Sequence, residues 1–394
     1  VRSIIVKRQF LPILVLAACC CRGGDALLTH TDVFRSGGDG YKSYRIPAIV
    51  EAPDGALLAF AEARKENQGD PGSGDIDLVM KHSRDRGATW SALVVIDDPG
   101  EKWSASNPTP VLDRSNGRLW IAFNRWRPGK GTFESRPGTD ENQTWLRFSD
   151  DNGRSWSEAR DITREARDFE AWSAMFLGPG GAIQTKSGRL LLPAARCPET
   201  CSVMSAVPGW QGSLYLMRAY AIYSDDHGVT WKRGGLLPAL TDENQLVELA
   251  DGALMIDARQ GNGDRRWTGI SQDGGAMWQR PQPGQAVTRV ATSIERYTLK
   301  SAGADRDRLL WTGLAGPARQ HLVVRVSYDE GQTWTNERTL YGGLAAYSDL
   351  AALKDGTAGV LWERGVSALS QFITFTRFNR AFLEPPAAVV PEFR

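Results

Sequence analysis

Five stretches of this chain share one frame, Ser-x-Asp-x-Gly-x-x-Trp: SRDRGATW (83–90), SDDNGRSW (149–156), SDDHGVTW (224–231), SQDGGAMW (271–278) and SYDEGQTW (327–334). Each residue of the frame has a local mechanical meaning. The Asp side chain accepts backbone N–H groups in a tight turn, Gly two positions later tolerates φ > 0, and the Trp anchors the returning strand. The frame therefore predicts a hairpin stapled from within.

A second repeat is interleaved with the first. Turn residues followed by an apolar strand occur at PDGALLAFAEAR (53–64), SNGRLWIAFNR (115–125), KSGRLLLPAAR (186–196), ADGALMIDAR (250–259), DRDRLLWTG (305–313) and KDGTAGVLWER (354–364). The first five are each followed by one stapled hairpin, and the sixth has none. Sequential four-stranded units with almost no helical periodicity imply radial repetition, which leaves few open sheet edges. The expected fold is all-β, a six-bladed β-propeller. A solenoid fits worse, because the Asp-to-Asp gaps run from 47 to 75 residues, longer and more variable than solenoid units. FITFTRFNRAFL (372–383) and ALLTHTDVF (26–34) are expected to share one blade and close the ring. The propeller then occupies residues 25–383, and 384–394 reads as an extended tail.

A formal net charge of +1 gives no electrostatic case for a nucleic-acid or anionic-membrane partner, so any anionic ligand must be met locally. At the N-terminus, Arg2, Lys7 and Arg8 precede an apolar run from Phe10 to Ala18, the layout of an export signal over residues 1–24. That run is too short to span a bilayer, which takes roughly 20 apolar residues. LAAC (16–19) resembles the bacterial lipoprotein signal, with Cys19 as the lipid-bearing residue; plain secretion is the alternative. Either reading puts the protein in the cell envelope or outside the cell. Cys197 and Cys201 are the cysteines outside this segment, open to pairing across CPETC or to remaining as thiols. No metal is expected there, since no His lies among them and the chain has only 4.

The apolar strands of the second repeat end in polar residues: Glu62 and Arg64, Asn124 and Arg125, Arg196, Arg259, and Glu363 and Arg364. In a propeller these strand ends share one face. They are expected to converge around the axis.

YRIP (44–47), followed by stapled hairpins across the chain, resembles the exo-α-sialidase (neuraminidase) family, over about residues 30 to 383. The resemblance implies a six-bladed propeller that removes terminal sialic acid from glycans, with no cofactor and no metal. Sialic acid carries a carboxylate on its anomeric carbon, and guanidinium groups suit it by their planar fork and permanent charge. By motif position the resemblance assigns this substrate-binding role to Arg45, to Arg259 in MIDAR, and to Arg319 in GPARQHLVVRVSYDEG, with Arg325 as a rival. Glu363 in VLWERG matches the glutamate that orients the first arginine, and Arg64 the arginine that contacts a ring hydroxyl.

The implied nucleophile is a phenol, an exception among retaining glycosidases. A second carboxylate would have to approach a carbon already bearing one. With a reference pKa of ~10 the phenol needs a base in contact. Tyr347 in AAYSDLAAL and Glu243 in TDENQLVELADG occupy these positions, with Tyr341 and Glu248 as alternatives. Asp70, on the Gly-rich stretch ENQGDPGSGD, is the acid/base; Asp75 and Asp77 are rivals, Asp77 reading better as a strand-face residue. Where many relatives have Asp before Pro, this chain has Asn107 in SASNPTP, which removes a charge from the N-acetyl or ring-hydroxyl side. Trp172, Met175 and Phe176 either line that side or pack in the core. A glycan-binding propeller without activity would not need the Tyr–Glu pair or Asp70, and a trans-sialidase would differ only in how water is excluded.

Overall fold

The computed structural model describes residues 25–66, 69–204 and 213–385, so the expected export signal with Cys19 and most of the expected tail lie outside the described residues. Among the described residues the fold is all-β, with only two four-residue α-helices, Thr163–Ala166 and Arg380–Leu383.

Antiparallel four-stranded sets follow one another along the chain. Ser43–Glu51, Leu57–Arg64, Ile76–Ser83 and Val94–Asp97 form the first. Ser104–Asp113, Arg118–Trp126, Asn142–Ser149 and Arg160–Asp161 form the second. Ala174–Leu177, Leu190–Cys197, Arg218–Ser224 and Lys232–Arg233 follow, then Asn244–Glu248, Leu254–Arg259, Arg265–Ser271 and Gln282–Ala286. The 18-residue strand Thr335–Ala352 serves two sets. Up to Leu344 it pairs with Gln320–Ser327, beyond Arg308–Leu314 and Ser293–Thr298; from Ala345 on it pairs with Ala358–Arg364. Phe372–Phe378 and then Leu28–Arg35 complete that last set, joining Leu28 to Phe378 and Arg35 to Phe372, so the two ends of the chain share one sheet as expected.

The first strands of the sets touch in cyclic order. Ser43–Glu51 lies against Ser104–Asp113, which meets Ala174–Leu177 and Ile183–Gln184; the latter meets Asn244–Glu248, then come Ser293–Thr298, Thr335–Ala352 and Ser43–Glu51 again.

The repeated turn holds neighbouring sets together. In the third copy Ser224 Oγ receives Gly228 N at 2.8 Å, Asp226 Oδ1 receives Thr230 N at 2.8 Å, and Asp226 Oδ2 receives Thr230 Oγ1 at 2.6 Å. Gly228 has φ +87°, and a Cβ there would stand 2.4 Å from the Trp120 ring of the preceding set. Only glycine fits both demands. Gly87, with φ +87°, meets Phe375 of the last set in the same way. Trp231 Nε1 donates to Gly228 O of its own turn at 3.1 Å, a staple of the expected kind, but the tryptophan rings also reach further. Three of them cross to the preceding set, Trp90 onto Phe375, Trp156 onto Phe60 and Trp231 onto Trp120. An indole has more apolar area than one hairpin can cover, and the neighbouring sheet supplies the rest.

Candidate active site

Polar side chains gather in a cleft of about 570 Å³ at one end of the ring of first strands, lined among others by Arg45, Glu62, Arg64, Asp70, Glu243, Arg259, Arg319 and Tyr347. Irregularities in those strands aim their side chains into it. Pairing with the neighbouring strand slips between Arg45 and Ala48, between Ser106 and Thr109, and between Ala345 and Ser348. Ile46 and Asn107, each followed by Pro, take left-handed φ values of 58° and 54°. Such bulges bend a strand and re-aim its side chains.

Each bulge rests on a buried carboxylate. Ile46 N donates to Glu363 Oε1 at 2.9 Å and Asn107 N to Glu62 Oε1 at 3.1 Å. Each carboxylate also holds an arginine. Arg45 Nε lies 2.7 Å from Glu363 Oε1 and its Nη2 3.3 Å from Oε2, while Arg64 Nη2 lies 2.6 Å from Glu62 Oε2. Burial works to raise the Glu363 pKa, but the Arg45 guanidinium outweighs it and holds the carboxyl below its ordinary value. For Glu62 burial prevails and the shift is upward.

Tyr347 is the centre of the cleft. Its Oη donates to Glu243 Oε1 at 2.6 Å and accepts from Arg259 Nη1 at 2.9 Å. Arg259 also bonds Glu243 Oε2, and Asp242 Oδ1 lies 3.5 Å from its Nε. The ζ carbons of Arg45 and Arg319 stand 5.4 and 5.6 Å from the Tyr347 ring centre. Burial, then the Glu243 charge, push the Tyr347 pKa well above that of a free phenol, against the pull of Arg259 and Arg45. The phenol is therefore protonated at rest. Burial, against Arg259 and reinforced by Glu243, also raises Asp242 to about 6. Asp70 stands at the mouth, its side chain 91% exposed and 3.9 Å from Arg64 Nη1.

The structure thus brings together Arg45, Arg64, Asp70, Glu243, Arg259, Arg319, Tyr347 and the supporting Glu363. The rivals lie elsewhere. Arg325 pairs with Glu337, Tyr341 donates to Gly365 O, and Glu248 accepts from Lys186 N. Asp75 and Asp77 are nearly buried and bind Lys65 Nζ at 2.9 and 3.1 Å.

Four of the polar strand ends do not converge on the cleft as expected. Arg125 pairs with Asp97, Arg364 with Asp32, and Arg196 lies near Trp172. Asn124 is buried, accepting from Leu177 N at 2.8 Å. Successive strand residues point to opposite faces, so Glu363 and Arg364 cannot both enter one cleft. Phe176 lines the cleft, whereas Met175 is core and Trp172 packs edge-on against Tyr220. The Asn107 amide donates to Leu177 O at 2.8 Å. Sequence reasoning missed Asp242, Arg289 and the pair Phe133 and Tyr215, whose rings lie 5.6 Å apart at the cleft wall. Asp242 adjoins the chosen Glu243 and was within reach; the others sit on connections outside both repeats.

A family model described as a BNR repeat-like domain matches residues 47–360. The Sialidase-3 of Mus musculus is 31% identical, over 86% of this chain and 91% of that protein. This chain belongs to the sialidase family. The Sialidase of Micromonospora viridifaciens is 32% identical over 92% of this chain, which spans only 55% of that longer family member. Among solved structures, the Hadza microbial sialidase Hz136 superposes with a TM-score of 0.78 at 24% identity, covering 88% of this chain and 68% of that one. That likeness places the all-β architecture among sialidase folds. Cys197 and Cys201, left open by the sequence as a bonded pair or as thiols, are joined in a disulfide next to the strand pair that carries Tyr215.

Proposed function

We propose that this chain is a retaining exo-α-sialidase that hydrolyses terminal sialic acid from glycoproteins, glycolipids or oligosaccharides. One observation carries the reading: a phenol hydrogen-bonded at 2.6 Å to a glutamate, with three arginines from three separate segments around it. Arg45, Arg259 and Arg319 receive the substrate carboxylate. Tyr347 Oη attacks the anomeric carbon and passes its proton to Glu243. As the glycosidic C–O bond breaks, Asp70 protonates the departing oxygen. Asp70 then takes a proton from water, whose oxygen attacks the same carbon; the bond to Tyr347 breaks and Glu243 returns the phenol proton. Configuration at the anomeric carbon is retained.

A neutral phenol suits a site crowded with anions. A carboxylate nucleophile would meet the substrate carboxylate at contact distance, where like charges repel. The scaffold reading is a six-bladed propeller over residues 25–383, supported by the cyclic contacts of the first strands and by the shared last sheet.

The test is release of sialic acid from a fluorogenic aryl conjugate and from a sialylated oligosaccharide by the purified chain. Asp70→Ala should lower the rate with the poor oligosaccharide leaving group by roughly 10²–10⁴-fold and spare the aryl conjugate. Tyr347→Phe should impair both. No release by the wild-type chain, or equal sensitivity of both substrates to Asp70→Ala, contradicts the assignment.

A further inference from the structure

Tyr347 and Glu243 belong to different sheets. The phenol is carried by Thr335–Ala352, and the base stands just before Asn244–Glu248. Their 2.6 Å contact therefore depends on how the first strands are held relative to one another across the axis. Two of those strands also slip in register beside the site, between Arg45 and Ala48 and between Ala345 and Ser348. A bulge disrupts the ladder that would otherwise fix the strand, so a fixed point is needed beyond it.

That fixed point is one buried carboxyl. Asp349, two residues past Tyr347, is 2% exposed. Its Oδ2 accepts from Ile49 N at 2.8 Å and its Oδ1 from Gln245 Nε2 at 2.9 Å. Gln245 stands two residues past Glu243, and Ile49 four past Arg45. Gln245 Oε1 accepts from Ser293 Oγ at 2.6 Å and from Ile294 N at 3.2 Å, while its Nε2 also donates to Pro179 O at 3.1 Å. Ser293 Oγ in turn accepts from Leu350 N at 2.9 Å. One knot thus joins Ser43–Glu51, Asn244–Glu248, Ser293–Thr298 and Thr335–Ala352 just below Arg45, Glu243 and Tyr347.

The knot lies between two open volumes. Arg45, Glu243 and Tyr347 line the cleft on one side, and Ile49, Glu295 and Asp349 line a second cavity of about 380 Å³ on the other. With space on both sides, hydrogen bonds set the distances between the strands at this level. Burial, against the pull of Ile49 N and Gln245 Nε2, raises the Asp349 pKa to about 7. In either protonation state each of its oxygens keeps a lone pair for its N–H donor.

We propose that Asp349 is a positioning residue for the nucleophile: the knot it forms with Ile49 N, Gln245 and Ser293 sets the Tyr347 strand against the Glu243 strand and holds the phenol at the point of attack. This inference rests on the role given to Tyr347 above. Asp349 touches no reacting atom. Two of the arginines have carboxylates of their own, Glu363 for Arg45 and Asp242 with Glu243 for Arg259.

The test uses the full chain and two probes. A 2,3-difluorinated sialic acid with a fluoride leaving group reads the nucleophile through its rate of covalent attachment to Tyr347. An unreactive 2,3-unsaturated sialic acid reads the arginines through its Kd. Asp349→Asn puts an NH2 against either Ile49 N or Gln245 Nε2, donor against donor. Per folded molecule the attachment rate should fall roughly 10–100-fold, the scale of a ~1 Å misplacement, while the Kd changes less than about threefold. If Asp349→Asn does not fold, Ser293→Ala, which breaks only the links of the hydroxyl to Gln245 and Leu350, should give the same split with a fall of about 3–10-fold. Equal loss in both readouts, or no loss in either, overturns the positioning role while labelling of wild-type Tyr347 leaves the nucleophile standing. If the wild-type chain is not labelled at Tyr347, the nucleophile assignment fails and the inference falls with it.

Discussion

Glu363→Gln separates charge from shape beneath Arg45. The glutamine carbonyl can take the place of Oε1, which accepts from Arg45 Nε at 2.7 Å and from Ile46 N at 2.9 Å. Its NH2 then stands where Oε2 faced Arg45 Nη2 at 3.3 Å and Ser370 Oγ at 3.2 Å. Ser370 can turn to accept, but at Nη2 two donors meet. Removing one member of a buried ion pair costs about 3–5 kcal/mol. Arg45 keeps 14% of its side chain open to the cleft while Glu363 is wholly covered, so solvent relieves part of the cost and ~2–3 kcal/mol remains. For a chain of this length that lowers Tm by roughly 5 °C.

A double-mutant cycle with Arg45→Met, read by denaturant unfolding at pH 7, isolates the pair. The expected coupling is ~2 kcal/mol, with the double variant recovering part of what Glu363→Gln loses. The sign with pH follows from the lowered Glu363 pKa. Stability from a depressed carboxyl is present above the ~4.3 of free glutamate and fades as pH falls through the folded value. Coupling measured near pH 4 should therefore be smaller than at pH 7. Additive single effects at pH 7, within about 0.5 kcal/mol, refute the argument that this ion pair holds Arg45.

Two other outcomes are expected. Asp242 lies on the same arginine as Glu243, and burial, against the pull of Arg259 and with the push of the Glu243 charge, raises it to about 6. kcat/KM should fall as pH drops through that region and Asp242, 3.5 Å from Arg259 Nε, takes up a proton and loosens its hold on that arginine; Asp242→Asn should remove this step from the pH profile, and a step that persists unchanged contradicts the assignment. Asp226→Ala removes three hydrogen bonds from one repeated turn and should cost ~1–2 kcal/mol of stability while kcat/KM stays within about twofold of wild type; loss of activity without loss of Tm would give the repeat a role beyond scaffold.

The repeats made the sheets legible because a turn chemistry used five times marks where hairpins recur. The shared last sheet was legible in the strands at 26–34 and 372–383, which the sequence puts in one blade and which pair with each other. The site was legible where motifs fall on the first two strands of a set, as with Arg45, Arg259, Tyr347 and Glu363. Arg125, Arg196 and Arg364 misled for a physical reason: a charged strand end says nothing about which face the pleat gives it. The reach of the Trp in the repeated turn was not legible because its partner ring belongs to another set, tens to hundreds of residues away, as Phe375 is from Trp90. Arg289, Phe133 and Tyr215 come from connections whose sequence has no period, and only tertiary structure brings them to the cleft.

Covalent capture of Tyr347 tests the central claim most directly. A 2,3-difluorinated sialic acid with an activated leaving group slows release from the nucleophile, so incubation with the wild-type chain, digestion and peptide mass spectrometry should find one sugar on the peptide containing Tyr347. Fragmentation should place it on the phenol oxygen. An adduct on Glu243 or Asp70, or full turnover with no adduct and inverted product, contradicts the account.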